Sequence, residues 1–145
     1  MPKTELRSEV EIDATPARVY AVLTDFARYH EWNPFVVSLQ GALAVGGKLT
    51  LELSLPEGKT YELVPELTQV TENRELRWRT RWWLPSLLEA EHFFLLSERD
   101  GKTRCMQGQD FSGFLLRFSG NSLTLAARGA VYLNQALKKR AESGA

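Results

Sequence analysis

The sequence predicts an α+β fold: a strongly curved antiparallel sheet of about seven strands wrapped around one long C-terminal helix, with two short helices after the first strand. Three observations point to it. Segments of alternating apolar and polar residues recur along the chain, separated by turn residues. One late segment, about residues 121–141, repeats its apolar residues at helical spacing instead. The 145 residues, 43% of them hydrophobic, suit one core and not two, so residues 1–145 are read as a single domain. A single antiparallel sheet needs its apolar face covered, and the last helix is the element long enough to do so.

The elements follow in order. In residues 4–12, Leu6, Ser8, Val10 and Ile12 share one face, while Glu5, Arg7, Glu9 and Glu11 share the other. Asp13-Ala14-Thr15-Pro16 stops this strand. Thr15 suits a helix N-cap and Pro16 the first helical position, where no N–H is needed. The helix carries Val19, Tyr20, Val22 and Leu23, and Thr24-Asp25 caps a second short turn containing Phe26 and Tyr29. Pro34 ends the helical part, because the residue before proline resists the α region. A six-strand meander follows at 35–39, 49–55, 61–70, 76–82, 88–96 and 104–111, with Pro65 marking an edge or a bulge. Gly46-Gly47, Glu57-Gly58, Glu72-Asn73 and Asp100-Gly101 supply turn chemistry. Asn121 or Ser122 caps the last helix, whose covered face holds Leu123, Ala126, Ala127, Ala130, Leu133, Leu137 and Ala141, with Asn134 near its centre. Lys138-Lys139-Arg140 complement its dipole. An alanine-rich helix face against a curved sheet leaves a cavity or permits close helix–sheet contact, and both remain open at this level.

Composition excludes several function classes. Eighteen Lys+Arg balance 18 Asp+Glu, and zero net charge argues against a nucleic-acid partner. Two histidines, His30 and His92, and one cysteine, Cys105, cannot build a disulfide framework or a cysteine-rich metal site, so neither metal nor cofactor is expected. The N-terminal residues lack the apolar core of a signal peptide and no run reaches the ~20 apolar residues of a membrane span, so a cytoplasmic protein is expected. Four Trp and seven Phe supply apolar binding surface.

Several motifs carry a family resemblance. Asp13-Ala14-Thr15-Pro16-Ala17-Arg18-Val19-Tyr20, Leu23-Thr24-Asp25-Phe26, and Tyr29 with Trp32-Asn33-Pro34-Phe35 resemble the START-like helix-grip (SRPBCC) superfamily, in its polyketide cyclase/dehydrase and lipid-transport branch. Glu91-His92-Phe93-Phe94-Leu95-Leu96 with Thr103-Arg104, then Gln109-Asp110-Phe111-Ser112-Gly113, and finally Leu137 to Glu142 agree with later parts of that fold. The resemblance covers nearly the whole chain. It implies a helix-grip fold, with hydrophobic-ligand carriers, quinone chaperones and aromatase/cyclases among its members. Where Gln107 and Gln109 stand, the family often has His and Glu, so this chain has neutral amides in their place.

Strand alternation assigns an interior. Arg77, Arg79 and Arg81 belong outside, which turns Leu76, Trp78, Thr80 and Trp82 inward. The next strand then turns in Leu88, Ala90, His92, Phe94 and Leu96, and the last strand Cys105, Gln107, Gln109 and Phe111. The candidate ligand-binding set is therefore Trp78, Trp82, His92, Phe94, Gln107, Gln109, Phe111, Leu123, Ala127, Ala130 and Asn134. These few polar groups among apolar ones either orient a ligand or satisfy one another as core polars. Cys105 reads as a small buried hydrophobe. His92 is the one titratable group inside, and so the candidate proton-transfer residue of an enzyme. One end of the meander has apolar turns, with Leu55, Trp83, Leu84, Leu87, Phe114 and Phe118. That end reads as a pocket entrance, as a plug folded into the cavity, or as an interaction surface.

Binding or transport of a hydrophobic small molecule is thus expected, with a polyketide aromatase/cyclase or dehydratase using His92 as the alternative. The partners expected are a hydrophobic ligand and, transiently, a membrane, for a monomer or weak homodimer.

Overall fold

The computed structural model describes residues 3–54, 58–82, 88–113 and 120–144, with the side chains of Trp82, Asn121 and Ser122 outside that description. The elements run β1 (Lys3–Ile12), α1 (Pro16–Thr24), a 3₁₀ helix (Phe26–Glu31), β2 (Val36–Gln40), β3 (Thr50–Ser54), β4 (Thr60–Leu63), β5 (Glu66–Thr71), β6 (Glu75–Trp82), β7 (Leu88–Arg99), β8 (Lys102–Ser112) and α2 (Gly120–Glu142). This is the expected α+β architecture of a curved antiparallel sheet closed by a long C-terminal helix.

Local chemistry accounts for the element ends. Thr15 Oγ1 accepts from Arg18 N at 3.2 Å and Pro16 starts α1. The 3₁₀ helix departs from expectation, because Asp25 makes no side-chain cap. Its backbone carbonyl accepts from Arg28 N at 3.1 Å, and Thr24 Oγ1 donates back to Tyr20 O at 2.8 Å. Buried Asn33 turns the chain into β2 by accepting from Phe35 N at 2.9 Å and Val36 N at 3.3 Å. Asp100 and Gly101 both have positive φ, 54° and 79°, so β7 and β8 are joined by a two-residue hairpin turn. Helix α2 starts at Gly120, so Asn121 and Ser122, expected to cap it, fall within its first turn instead.

The strand count differs from expectation. Residues 61–70 form two strands, because the chain breaks at Val64-Pro65. Pro65 has no N–H to continue a ladder; it is buried, and its carbonyl accepts from Leu49 N at 2.7 Å. The eight strands fall into a five-stranded sheet, β1-β8-β7-β6-β5, and a three-stranded sheet, β2-β3-β4, linked by a Lys48↔Glu66 bridge.

The pairing of β1 with β8 decides the site. The register runs from Lys3↔Ser112 to Ile12↔Thr103, and joins residues about a hundred positions apart. Helix α2 then lies along β1 and runs in the same direction. Asn134 reaches Ser8, Lys138 Nζ donates to Glu11 O at 2.9 Å, and Glu142 accepts from Asp13 N at 2.8 Å. The core between sheet, α1 and α2 includes Ile12, Leu23, Leu67, Leu76, Phe94, Cys105 and Leu137.

Candidate functional site

Register places the predicted inner residues side by side. Trp78 stands opposite His92, His92 opposite Gln109, Phe94 opposite Gln107, and Ala90 opposite Phe111. On the other side of β8, Ser8 stands opposite Gln107 and Leu6 opposite Gln109. Pleat alternation keeps all of these on the face turned toward α2. Aromatic groups pack around the histidine. The Trp78 ring meets that of His92 edge-on at 5.3 Å between centroids, and the Phe94 ring lies 4.8 Å from it.

A chain of neutral polar groups crosses this face. His92 Nε2 lies 2.9 Å from Gln107 Oε1, a diagonal contact between neighbouring strands. Gln107 Nε2 donates to Asn134 Oδ1 at 2.6 Å and to the backbone carbonyl of Ala130 at 3.2 Å. Asn134 Nδ2 in turn donates to Ser8 Oγ. The Ala130 carbonyl can only accept, so it fixes which end of the Gln107 amide faces the helix. Oε1 is left facing His92, and His92 therefore donates from Nε2. Gln107 and Asn134 are almost completely buried, and both amides are used. Among the described residues, no buried side-chain nitrogen or oxygen lacks a partner.

The electrostatics follow from this setting. His92 keeps some accessible surface, yet it stands between sheet and helix, and burial pushes its imidazole down to about 4 against the Gln107 bond that favours the cation. The ring is neutral at pH 7. Burial pushes the Cys105 thiol up to about 12, which leaves it an inert apolar filler. Among the described residues, no group of three His, Cys, Asp or Glu is placed to hold a metal ion.

Burial grades along β8 and α2 in one direction. On β8, Thr103, Cys105 and Gln107 are buried, whereas Gln109 and Phe111 are half-buried. On α2, Ala141, Leu137, Asn134 and Ala130 are buried, whereas Leu123 and Ala126 are half-buried. Ala127, expected on the covered face, is exposed, because α2 is covered along its C-terminal half and far less along its N-terminal half. Both thus become accessible toward the end where Trp82 pairs with Leu88 and Glu89 with Ser112. The residues expected to form the entrance, Leu55, Trp83, Leu84, Leu87, Phe114 and Phe118, lie outside the described residues, as does the side chain of Trp82. Two contributors were missing from the candidate set. Ser8 completes the polar chain; its signal was a lone hydroxyl among inward-facing Leu6, Val10 and Ile12. Phe35 packs against α2 at Gly129, where a Cβ would lie 3.4 Å from its ring.

Comparison with known proteins follows the same lines. The family model described as polyketide cyclase / dehydrase and lipid transport matches residues 3–131. No curated protein matches the chain in sequence. The Zhui aromatase/cyclase from Streptomyces sp. R1128 superposes with a TM-score of 0.80 at 14% identity, over 97% of this chain and 94% of that one. A START superfamily protein from Mycobacterium smegmatis gives 0.79 at 19% identity, over 97% and 99%. The di-domain ARO/CYC protein BexL from the BE-7585A biosynthetic pathway gives 0.75 at 14% identity over 97% of this chain, which spans 49% of BexL.

Proposed function

Because the chain belongs to the polyketide cyclase/dehydrase and lipid-transport family, we propose that it binds a hydrophobic small molecule, lipid-, quinone- or polyketide-like, between the curved sheet and α2. The observation that carries this reading is the shared burial gradient of β8 and α2: both become accessible toward one end, from a tightly packed deep half, while Thr80 and Ala90 on the neighbouring strands stay buried. Gln109 and Phe111 line the sheet side of the opening half, with buried Trp78 and Phe94 packed beside them, and Leu123 and Ala126 line the helix side. Apolar contact supplies the affinity, and the few polar groups supply orientation. Zero net charge favours such a ligand over a nucleic acid.

Titration with a lipophilic fluorescent probe tests this reading. One probe binds per protein, and Ala126→Trp, which fills the half-buried helix wall of the opening half, abolishes binding while circular dichroism shows the fold retained. Unchanged probe affinity in folded Ala126→Trp protein removes the proposed site. Native mass spectrometry of protein purified from its source then identifies a retained ligand.

A second reading, an aromatase/cyclase or dehydratase with His92 moving the proton, draws on the position of His92 in the accessible half. Its imidazole is a weak base once burial has pushed it down to about 4, and no carboxylate among the described residues bonds to the polar chain. Binding therefore ranks above catalysis. Turnover lost in His92→Phe with probe binding retained reverses that order. Among the described residues no helix is long and apolar enough to cross a membrane. The reading adds a cytoplasmic monomer or weak homodimer that meets membranes transiently, without cofactor.

A further inference from the structure

The polar chain has a direction, and the direction has a chemical consequence. Donation runs from His92 Nε2 to Gln107 Oε1, from Gln107 Nε2 to Ala130 O and Asn134 Oδ1, and from Asn134 Nδ2 to Ser8 Oγ. The backbone carbonyl at Ala130 anchors that direction, since it has no proton to give. With Nε2 carrying the ring proton, the neutral imidazole presents Nδ1 as a bare lone pair. No described residue hydrogen-bonds to Nδ1, and the His92 side chain retains accessible surface. Gln109, directly opposite on β8, makes no hydrogen bond to the ring either.

Building on the ligand-binding reading above, we propose that His92 Nδ1 is a fixed hydrogen-bond acceptor for the ligand. The site would then select hydrophobic molecules that bring a hydroxyl, such as a phenol, enol or quinol. It would discriminate against the matching ketone, quinone or methyl ether. An imidazole free to choose its tautomer could meet either a donor or an acceptor. This one meets only a donor, because turning its proton to Nδ1 sets the Nε2 lone pair against Gln107 Oε1. Gln107 cannot turn in response without setting its own oxygen against the Ala130 carbonyl. Asn134, which accepts from the same Gln107 amide, is a positioning residue for this selectivity. Low basicity agrees with the assignment, since burial keeps the ring from becoming a cation with two donors.

Two measurements on the whole chain test this. Long-range ¹H–¹⁵N correlation spectra of the ligand-free protein at pH 7 report the tautomer directly. An unprotonated Nδ1 and a protonated Nε2 support the proposal; an Nδ1–H tautomer or an imidazolium overturns it. Equilibrium binding then compares 1-naphthol, 1-methoxynaphthalene and 1-acetylnaphthalene. The naphthol binds about tenfold tighter than either relative, the order of magnitude of one net hydrogen bond plus the cost of an unpaired acceptor. In His92→Phe the three bind alike. Gln107→Met removes the acceptor that fixes the tautomer, and the preference for the naphthol shrinks with it. Equal affinities in the wild type overturn the selectivity and leave the binding reading intact. Failure of all three, together with the lipophilic fluorescent probe, overturns the binding reading itself and the selectivity with it.

Discussion

On the outer face of the five-stranded sheet, Arg77 meets Glu75 at 2.9 Å and Glu91 at 3.0 Å, and Arg79 meets Glu89 at 3.1 Å and Glu66 at 3.2 Å. On the inner face the same strands carry Trp78, His92, Phe94 and Gln107, and the polar atoms there are neutral and bonded end to end. The difference is one of dielectric. Half-exposed ion pairs are solvated from outside, are screened by salt and need no perfect geometry. A charge on the inner face would lose its hydration, so neutral groups that bond to one another are favoured there. The outer face does contain one buried aromatic. Arg77, Phe93, Gly108 and Arg7 form a single row across β6, β7, β8 and β1. Both guanidinium groups lie over the Phe93 ring, at 4.2 Å and 4.7 Å from its centroid. Gly108 makes this possible, because a Cβ there would fall 2.1 Å from Phe93 Cζ.

The sharpest way to break the comparison is therefore on the outer face, at its one crowded point. Gly108→Val forces Phe93 out from between the two arginines. It destabilises the protein by about 3 kcal/mol or more in urea unfolding, and Phe93→Ala in the same chain relieves part of that loss. On the inner face, Gln107→Leu leaves His92 Nε2–H, Asn134 Oδ1 and the Ala130 carbonyl without their partner. The expected cost is about 2–3 kcal/mol, measured the same way.

A third expectation separates the faces by pH. The folded state holds His92 near 4, below its ordinary value of 6.5, so the unfolded chain binds this proton first as pH falls. The contribution of His92 to stability is fully present above about 6.5 and declines as pH drops toward 4. The slope is at most about 1.4 kcal/mol per pH unit, and it is absent in His92→Phe. The smallest effect belongs to the ion pairs. Glu89→Gln removes the carboxylate that Arg79 and Arg81 share, leaves Arg79 its pair with Glu66, and costs less than about 1 kcal/mol. That difference vanishes near 1 M salt, whereas the effect of Gln107→Leu does not.

Much of this division was legible in the chain. Side chains alternate strictly along a strand, so assigning Arg77, Arg79 and Arg81 to solvent turns Trp78 inside, and on the last strand Arg104 and Asp110 on one face turn Gln107 and Phe111 inside by the same rule. Pro65 announced a disturbance but not the break that makes two strands, because the break depends on its carbonyl finding Leu49 N. Ala127 sat on the right helix face by periodicity. Its exposure reflects how far α2 is covered along its length, which periodicity does not contain. Phe93 was assigned to the outer face with nothing to say it would be buried there. That needs Gly108 beside it and two arginines from strands on either side.

By itself the sequence determined the order of elements, the faces of each strand and helix, and the neutral, aromatic character of the interior. These depend on residues a few positions apart. The tertiary structure alone decided that β1 closes the sheet against β8, that Ser8 and Asn134 meet at Gln107, and that His92 Nε2 faces Gln107 Oε1. Those outcomes depend on register between segments about a hundred residues apart. The favourable energy that sets such a register is summed over the whole sheet, so no single stretch of sequence contains it.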